Sequence, residues 1–159
     1  MAQMTLESIE LKNVKVAHHM SEETIAFTAT LYINGKKAAH VKNDGRGGDN
    51  YPRFLDRETE KEFHEFCATL PLRQPSPEFG DMAPYPMTYD SFIGDLLDAW
   101  MENDDWKRKC KKNVIVILKK HSEGQYGQYK NWIYTPVIGA QLRTHYGSEL
   151  VEIVNERFI

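Results

Sequence analysis

The stretch 43-NDGRGGDNYP-52 gathers three glycines, two aspartates and an arginine directly after a segment that reads as a strand. Successive backbone N–H groups in a glycine-rich turn can converge on an anion, and Arg46 would add a fork of donors for a phosphate or carboxylate. On that reading the contact residues are Asn43, Asp44, Gly45, Arg46, Gly47, Gly48 and Asp49. Asn43, Asp44, Asp49 and Asn50 are also oxygen ligands of the kind calcium takes, but the spacing of a calcium loop and its closing glutamate are missing. Nor does Gly45-Arg46-Gly47-Gly48 match the phosphate loop ending in Gly-Lys-Ser/Thr or the dinucleotide pattern Gly-x-Gly-x-x-Gly. The plainest account is a turn whose glycines take backbone angles that other residues resist, with Asn43 and Asp44 bonding their own turn. That account predicts Arg46 paired with Asp44 or Asp49, whereas a contact residue would stand exposed and unpaired.

A basic segment offers a second chemistry. Lys107, Arg108, Lys109, Lys111 and Lys112, continued by Lys119 and Lys120, would bind a nucleotide or nucleic acid if they formed a strip near the rings of Tyr126, Tyr129, Trp132 and Tyr134. Asp104 and Asp105 stand immediately before that run and neutralise part of it. The carboxylates Asp90, Asp95, Asp98, Glu102, Asp104 and Asp105 could hold magnesium for phosphoryl transfer or hydrolysis. Asp95, Asp98 and Glu102 nevertheless recur at helical spacing, opposite an apolar stripe, as a solvated face does. His64 and Cys67 share a helical face and would need Cys110 and a further histidine to complete a zinc site, but the spacing gives little support, the pair His18-His19 falling in a connection between strands; Cys67 is more simply a small core residue. No nucleophile motif of the Gly-x-Ser-x-Gly kind is present, no cofactor is expected, and catalysis is the less favoured class.

These residues need elements to position them. Ile25, Phe27, Ala29, Leu31 and Ile33 alternate with polar or smaller residues, as a strand with one buried face does. Asn34-Gly35 then turns the chain into Lys36–Lys42. An odd-length loop, with Gly35 at a bulge, would set Phe27 opposite Val41 and Ala29 opposite Ala39, so that apolar residues face apolar ones. Ile9, Leu11, Val14 and Val16 supply an earlier strand whose phase changes near Lys12-Asn13. Asp56 or Thr59 can cap a helix carrying Phe63, Phe66, Cys67 and Leu70, and a proline-rich connection over 71–87 follows. Thr88 caps a second helix with an apolar stripe through Phe92, Ile93, Leu96, Leu97, Trp100 and Met101. Residues 113–118 and 126–134 read as a hairpin, Thr135-Pro136 opens a helix that Gly147 stops, and 150–154 is a last strand. Phe63, Phe66, Leu96, Trp100, Ile115 and Ile117 are predicted in the core. The class is α+β over 1–159: an N-terminal antiparallel hairpin or meander, central helices and a C-terminal β-β-α-β run, the helices packed on a mostly antiparallel or mixed sheet.

The combination of 7-ESIELKNVKV-16, 21-SEETIAFTATLYINGKKAAHVKNDGRGG-48, 88-TYDSFIGDLLDAWMEN-103 and 111-KKNVIVILKK-120 resembles a family of small uncharacterised proteins of phages and prophage-like bacterial elements. The match is best from Glu7 to Gly48. The resemblance implies a mobile-element setting and carries no catalytic residues to transfer. The formal net charge of -3 argues against non-specific binding of nucleic acid by the whole molecule, so such binding must be local. The chain begins without a basic region followed by an apolar run, which predicts a cytoplasmic protein with no membrane partner. Together these features predict a non-catalytic accessory protein that binds a host component, a host protein acting in defence or metabolism. The alternatives are a nucleotide or nucleic-acid binder using 43–52 and 107–120, and a metal-dependent enzyme.

Overall fold

Asn34 and Gly35 have φ of 52° and 77°, the pair of left-handed angles that a two-residue turn between twisted strands requires. A computed structural model describes residues 3–159 and builds two units, Met1–Ala99 and Trp100–Ile159. The protein is α+β, as the residue pattern predicts.

In the first unit four strands, β1 (Ile9–Val16), β2 (Phe27–Ile33), β3 (Lys36–Asn43) and β4 (Tyr51–Phe54), form an antiparallel sheet in sequence order. The register corrects the expected hairpin. The Asn34-Gly35 turn is two residues long, with Ile33 opposite Lys36. The extra residue is Ala38, where the register shifts, so Ala29 faces Val41, Leu31 faces Ala39 and Phe27 faces Asn43 rather than Val41. The bulge, not the turn, brings apolar residues opposite one another. The phase change in β1 is a second irregularity, between Lys12 and Lys15, with Asn13 at φ 54°.

β4 is a strand that the sequence reading left as loop. Pro52 sits opposite Val41 in it, which an outermost strand tolerates. Helix α1 (Arg57–Ala68) starts at Asp56, whose side chain accepts from the Thr59 N–H at 2.8 Å. Phe63, fully buried, meets the rings of Phe54 and Phe92. Residues 71–88 are largely irregular, with one bridge between Arg73 and Tyr85.

Helix α2 runs from Tyr89 to Lys112, and the division between the units falls within it. Thr88 caps it through Ser91 N–H at 3.2 Å. The helix continues through the whole charged segment 102–112, beyond the end of its apolar stripe. Phe92, Ile93 and Leu97 are buried, but Phe66, Leu96, Trp100 and Ile117, expected in the core, are only half-buried.

The second unit holds β5 (Asn113–Leu118) between β6 (Gly127–Lys130) and β7 (Leu150–Ile153), both antiparallel to it, with α3 (Pro136–Tyr146). β6 is shorter than the expected 126–134 because Asn131, at φ 62°, turns the chain out of the sheet. Thr135 caps α3 and Gly147 ends it at φ 53°, as expected. Val114, Val116, Leu118, Leu142 and Ile153 form the core, with Tyr129, Tyr134, Ile138 and Tyr146 packed on it. Asn155, 3% exposed, ties this unit together: its Oδ1 accepts from Ile115 N–H, and its Nδ2 donates to the carbonyls of Cys110 and Asn113.

Candidate functional site

The glycine-rich loop is held from inside by Asn43, which ends β3 and is 6% exposed. Its Oδ1 accepts from Thr24 Oγ1 and from Gly45 N–H, both at 2.8 Å. Its Nδ2 donates to the Gly48 carbonyl and to Asn50 Oδ1, both at 3.0 Å. Both donors and the acceptor of the amide are therefore engaged within the loop. Asn50 passes the restraint to α2, donating through its backbone N–H to Asp90 Oδ1 at 2.7 Å and through Nδ2 to the Asp90 carbonyl at 3.1 Å. Tyr89 Oη donates to Asp49 at 2.8 Å, which raises the phenol pKa.

Two of the glycine amides are engaged inside the fold. Gly45 N–H is held by Asn43, and Gly47 N–H donates to Thr24 Oγ1 at 3.3 Å. A set of amides converges on the loop's own Gly45 carbonyl, which accepts from Glu22 at 2.9 Å and Glu23 at 3.1 Å, with Thr24 at 3.5 Å. Gly45 has φ 81°, and a Cβ there would overlap the backbone oxygen of Met20, so the close approach and the angle both require glycine. The amides of Gly45 and Gly47 thus serve the turn itself.

Arg46 departs from that account. It is exposed and has neither an ion pair nor a hydrogen bond with another described residue. Asp44, offered as its partner, pairs with Lys42 Nζ at 3.3 Å, and Asp49 is taken by Tyr89. Lys42, Asp44, Arg46, Asp49 and Tyr51 line one open groove of about 390 Å³ with Asn43 and Gly48. The groove has a rigid floor and a free guanidinium at its rim.

The basic segment is a different kind of surface. Arg108 pairs with Asp104, and Lys109 with Asp105 at 2.8 Å, one helical turn back in each case. Lys109 also lies over the rings of Trp106 and Tyr126, at 4.9 and 5.3 Å from their centroids. Lys107, Lys111 and Lys112 are exposed. Of the expected stacking rings, Tyr129 is committed to a hydrogen bond with Tyr146 and to Trp132, 4.5 Å away, while Tyr134 donates to Glu156.

Several of the candidate carboxylates are engaged within the fold, while Asp98 and Glu102 are exposed. Asp90 receives Asn50, and Asp95 is held by Arg73 at 2.5 Å. Among the described residues, no three of His, Cys, Asp and Glu are grouped to hold a metal ion. Burial pushes the Cys67 thiol up to about 11 and also raises Cys110, which keeps both protonated and poorly nucleophilic near neutral pH. No helix among the described residues is long and apolar enough to cross a membrane.

Sequence reasoning missed the outer face of the β1–β4 sheet. Register places Lys15, Thr28, Lys42 and Tyr51 in one row across all four strands, and Lys12, Thr30, His40 and Arg53 in the next. The signal was present as alternation, since these residues are the polar partners of the buried Leu11, Phe27, Ala29, Val41 and Pro52. Their union on one face needed the register. No protein-family model, curated protein or solved structure matches this chain.

Proposed function

We propose that the protein is a non-catalytic accessory factor that binds an anionic host component through the surface around Arg46. The observation that carries this reading is an unpaired, exposed arginine on a loop whose backbone is fixed by Asn43 and Asn50. With the loop backbone already fixed, only the Arg46 side chain has to be ordered when it meets a phosphate or carboxylate, and the cost of ordering the loop is avoided. The resemblance of residues 7–48 to phage and prophage proteins supports a partner in the host cell, and with it a cytoplasmic setting.

The test is affinity capture from host lysate with wild type and Arg46→Ala, followed by titration of the captured component. Arg46→Ala should weaken that binding by about 1–3 kcal/mol, the scale of a lost charged hydrogen bond. Its melting temperature should stay unchanged, because the side chain supports no contact of the fold. Equal affinities would remove Arg46 from the interface and this reading with it.

A further inference from the structure

We infer that the outer face of the β1–β4 sheet is a platform for single-stranded nucleic acid, a deepening of the proposed function that rests on Arg46 marking one end of the same surface. The side is unambiguous: Leu11, Phe27, Ala29, Leu31 and Val41 are buried on the inner face, and the alternate residues point outward. Lys12, Lys15, Lys37, His40, Lys42 and Arg53 on that outer face are all exposed.

The strand β2 contributes the short side chains Thr28, exposed, and Thr30, 8% exposed beneath its neighbours, between Lys12 and Lys15 on β1 and His40 and Lys42 on β3. With strands about 4.8 Å apart, the cations of β1 and β3 stand on the order of 10 Å from one another, and successive rows lie about 7 Å apart. Cations at that spacing suit the single phosphate line of one extended strand. A duplex, being a convex cylinder, would touch a sheet face along a narrow line.

Charge and rings then select the occupant. On this face Lys12 pairs with Glu10 at 3.5 Å and Lys42 with Asp44 at 3.3 Å, whereas Lys15, Lys37, Arg46 and Arg53 have no ion-pair partner among the described residues, so four cations stay uncompensated in a chain of formal net charge -3. Tyr51 ends the Lys42 row at 63% exposed, which leaves its ring accessible for a base to stack on. Tyr32, half-buried, carries Lys12 Nζ 4.6 Å from its centroid, which holds that cation over the sheet. Phosphate contacts from the lysines and arginines with base stacking on Tyr51 describe a sequence-tolerant single-strand site.

The experiment is fluorescence anisotropy with labelled mixed-sequence DNA and RNA single strands of about 15 nucleotides, a matched duplex and a poly-glutamate peptide, over a salt series. Wild type should bind the single strands most tightly, with affinity falling steeply as salt rises. The charge reversal Lys42→Glu/Arg53→Glu should weaken single-strand binding at least tenfold and flatten the salt dependence. Tyr51→Ala should cost roughly fivefold to a hundredfold without changing the salt slope, and Tyr51→Phe should restore it. Lys111→Glu/Lys112→Glu, on α2, should leave the affinity as in wild type. Absence of single-strand binding, indifference to Tyr51→Ala, or equal binding of poly-glutamate would overturn the inference. In any of those cases a captured host component that still depends on Arg46 would leave the broader reading standing, whereas loss of that dependence would remove the broader reading separately.

Discussion

Arg53 on β4 and Lys109 on α2 are both cations on regular elements, and they stand in opposite circumstances. Lys109 is paired with Asp105, lies against Trp106 and Tyr126, and has its pKa raised chiefly by the Asp105 hydrogen bond. Arg53 is exposed and faces His40 across the strands. On a helix, an acid and a base four residues apart share a face, so a segment reading Asp-Asp-Trp-Lys-Arg-Lys neutralises itself. Lys111 and Lys112 sit in the last turn, where the helix dipole favours them, and Lys107 stands exposed a turn earlier. In the sheet the neighbours are set by register, which places Arg53 beside His40 and Lys15 beside Thr28, although Lys12 and Lys42 find Glu10 and Asp44. Pairing four residues apart thus ties Arg108 and Lys109 to the helix, while Lys15, Lys37 and Arg53 keep their charge free on the sheet.

The contrast can be broken first by undoing the loop that supports the sheet's end of the comparison. Asn43→Ala removes hydrogen bonds to Thr24, Gly45, Gly48 and Asn50 at a buried site and should cost about 2–4 kcal/mol by urea denaturation. It should also weaken any ligand of Arg46, since the loop would no longer be fixed. An unmoved transition would show that other contacts hold the loop. Next in size, Gly45→Ala should cost about 2–3 kcal/mol, from its left-handed angle and the overlap with Met20 O. Gly124→Ala, at the same φ of 81° but in open space, should cost only about 1 kcal/mol. Equal losses at the two sites would mean that the close approach at Gly45 is relieved by movement.

The cations themselves give the direct comparison. Lys109→Ala should lower stability by about 0.5–1 kcal/mol, through the lost ion pair and ring contacts of a partly exposed side chain. Arg53→Ala should stay within about 0.5 kcal/mol of wild type. If Arg53→Ala were the more damaging, its charge would be serving the fold after all.

The smallest effect expected is on acid stability. The Arg143 hydrogen bond, aided by Tyr134, holds the Glu156 carboxyl below its usual 4.5. Its contribution is therefore complete above 4.5 and is lost as pH falls through the lower folded value. Melting temperatures measured between about pH 3 and 7 should fall less steeply on the acid side for Glu156→Gln than for wild type. No acid-side difference between the two would mean that the ion pair is fully screened by solvent.

What could be read along the chain was what is decided locally. Asp56, Thr135 and Gly147 mark helix ends because capping acts over three or four residues, and the alternation in 25–33 needed no partner to be recognised. Helix α2 was read too short because its apolar stripe ends at Met101, after which pairs such as Asp104–Arg108 carry the helix onward. β4 was missed because Pro52 reads as a loop signal, and only an outer position excuses it. The hairpin register differs by two residues because the expected odd loop places the pairs one residue short of the two-residue turn's register, whereas the inserted Ala38 moves them one residue beyond it. Arg46 was singled out correctly as a question. That it is unpaired depends on Tyr89 having taken Asp49 from forty residues away.

The two outer strands of the first sheet carry one more consequence. β1 is interrupted at Asn13, between two lysines, and β4 is four residues long with a proline inside it. Neither border offers a long flat row of unpaired donors and acceptors to a passing chain, so fibril growth and domain swapping through these borders are both disfavoured. A peptide seeking to join the sheet as an additional strand would find no template. A ligand must therefore come to this sheet broadside, across its side chains, rather than by extending its hydrogen-bond ladder.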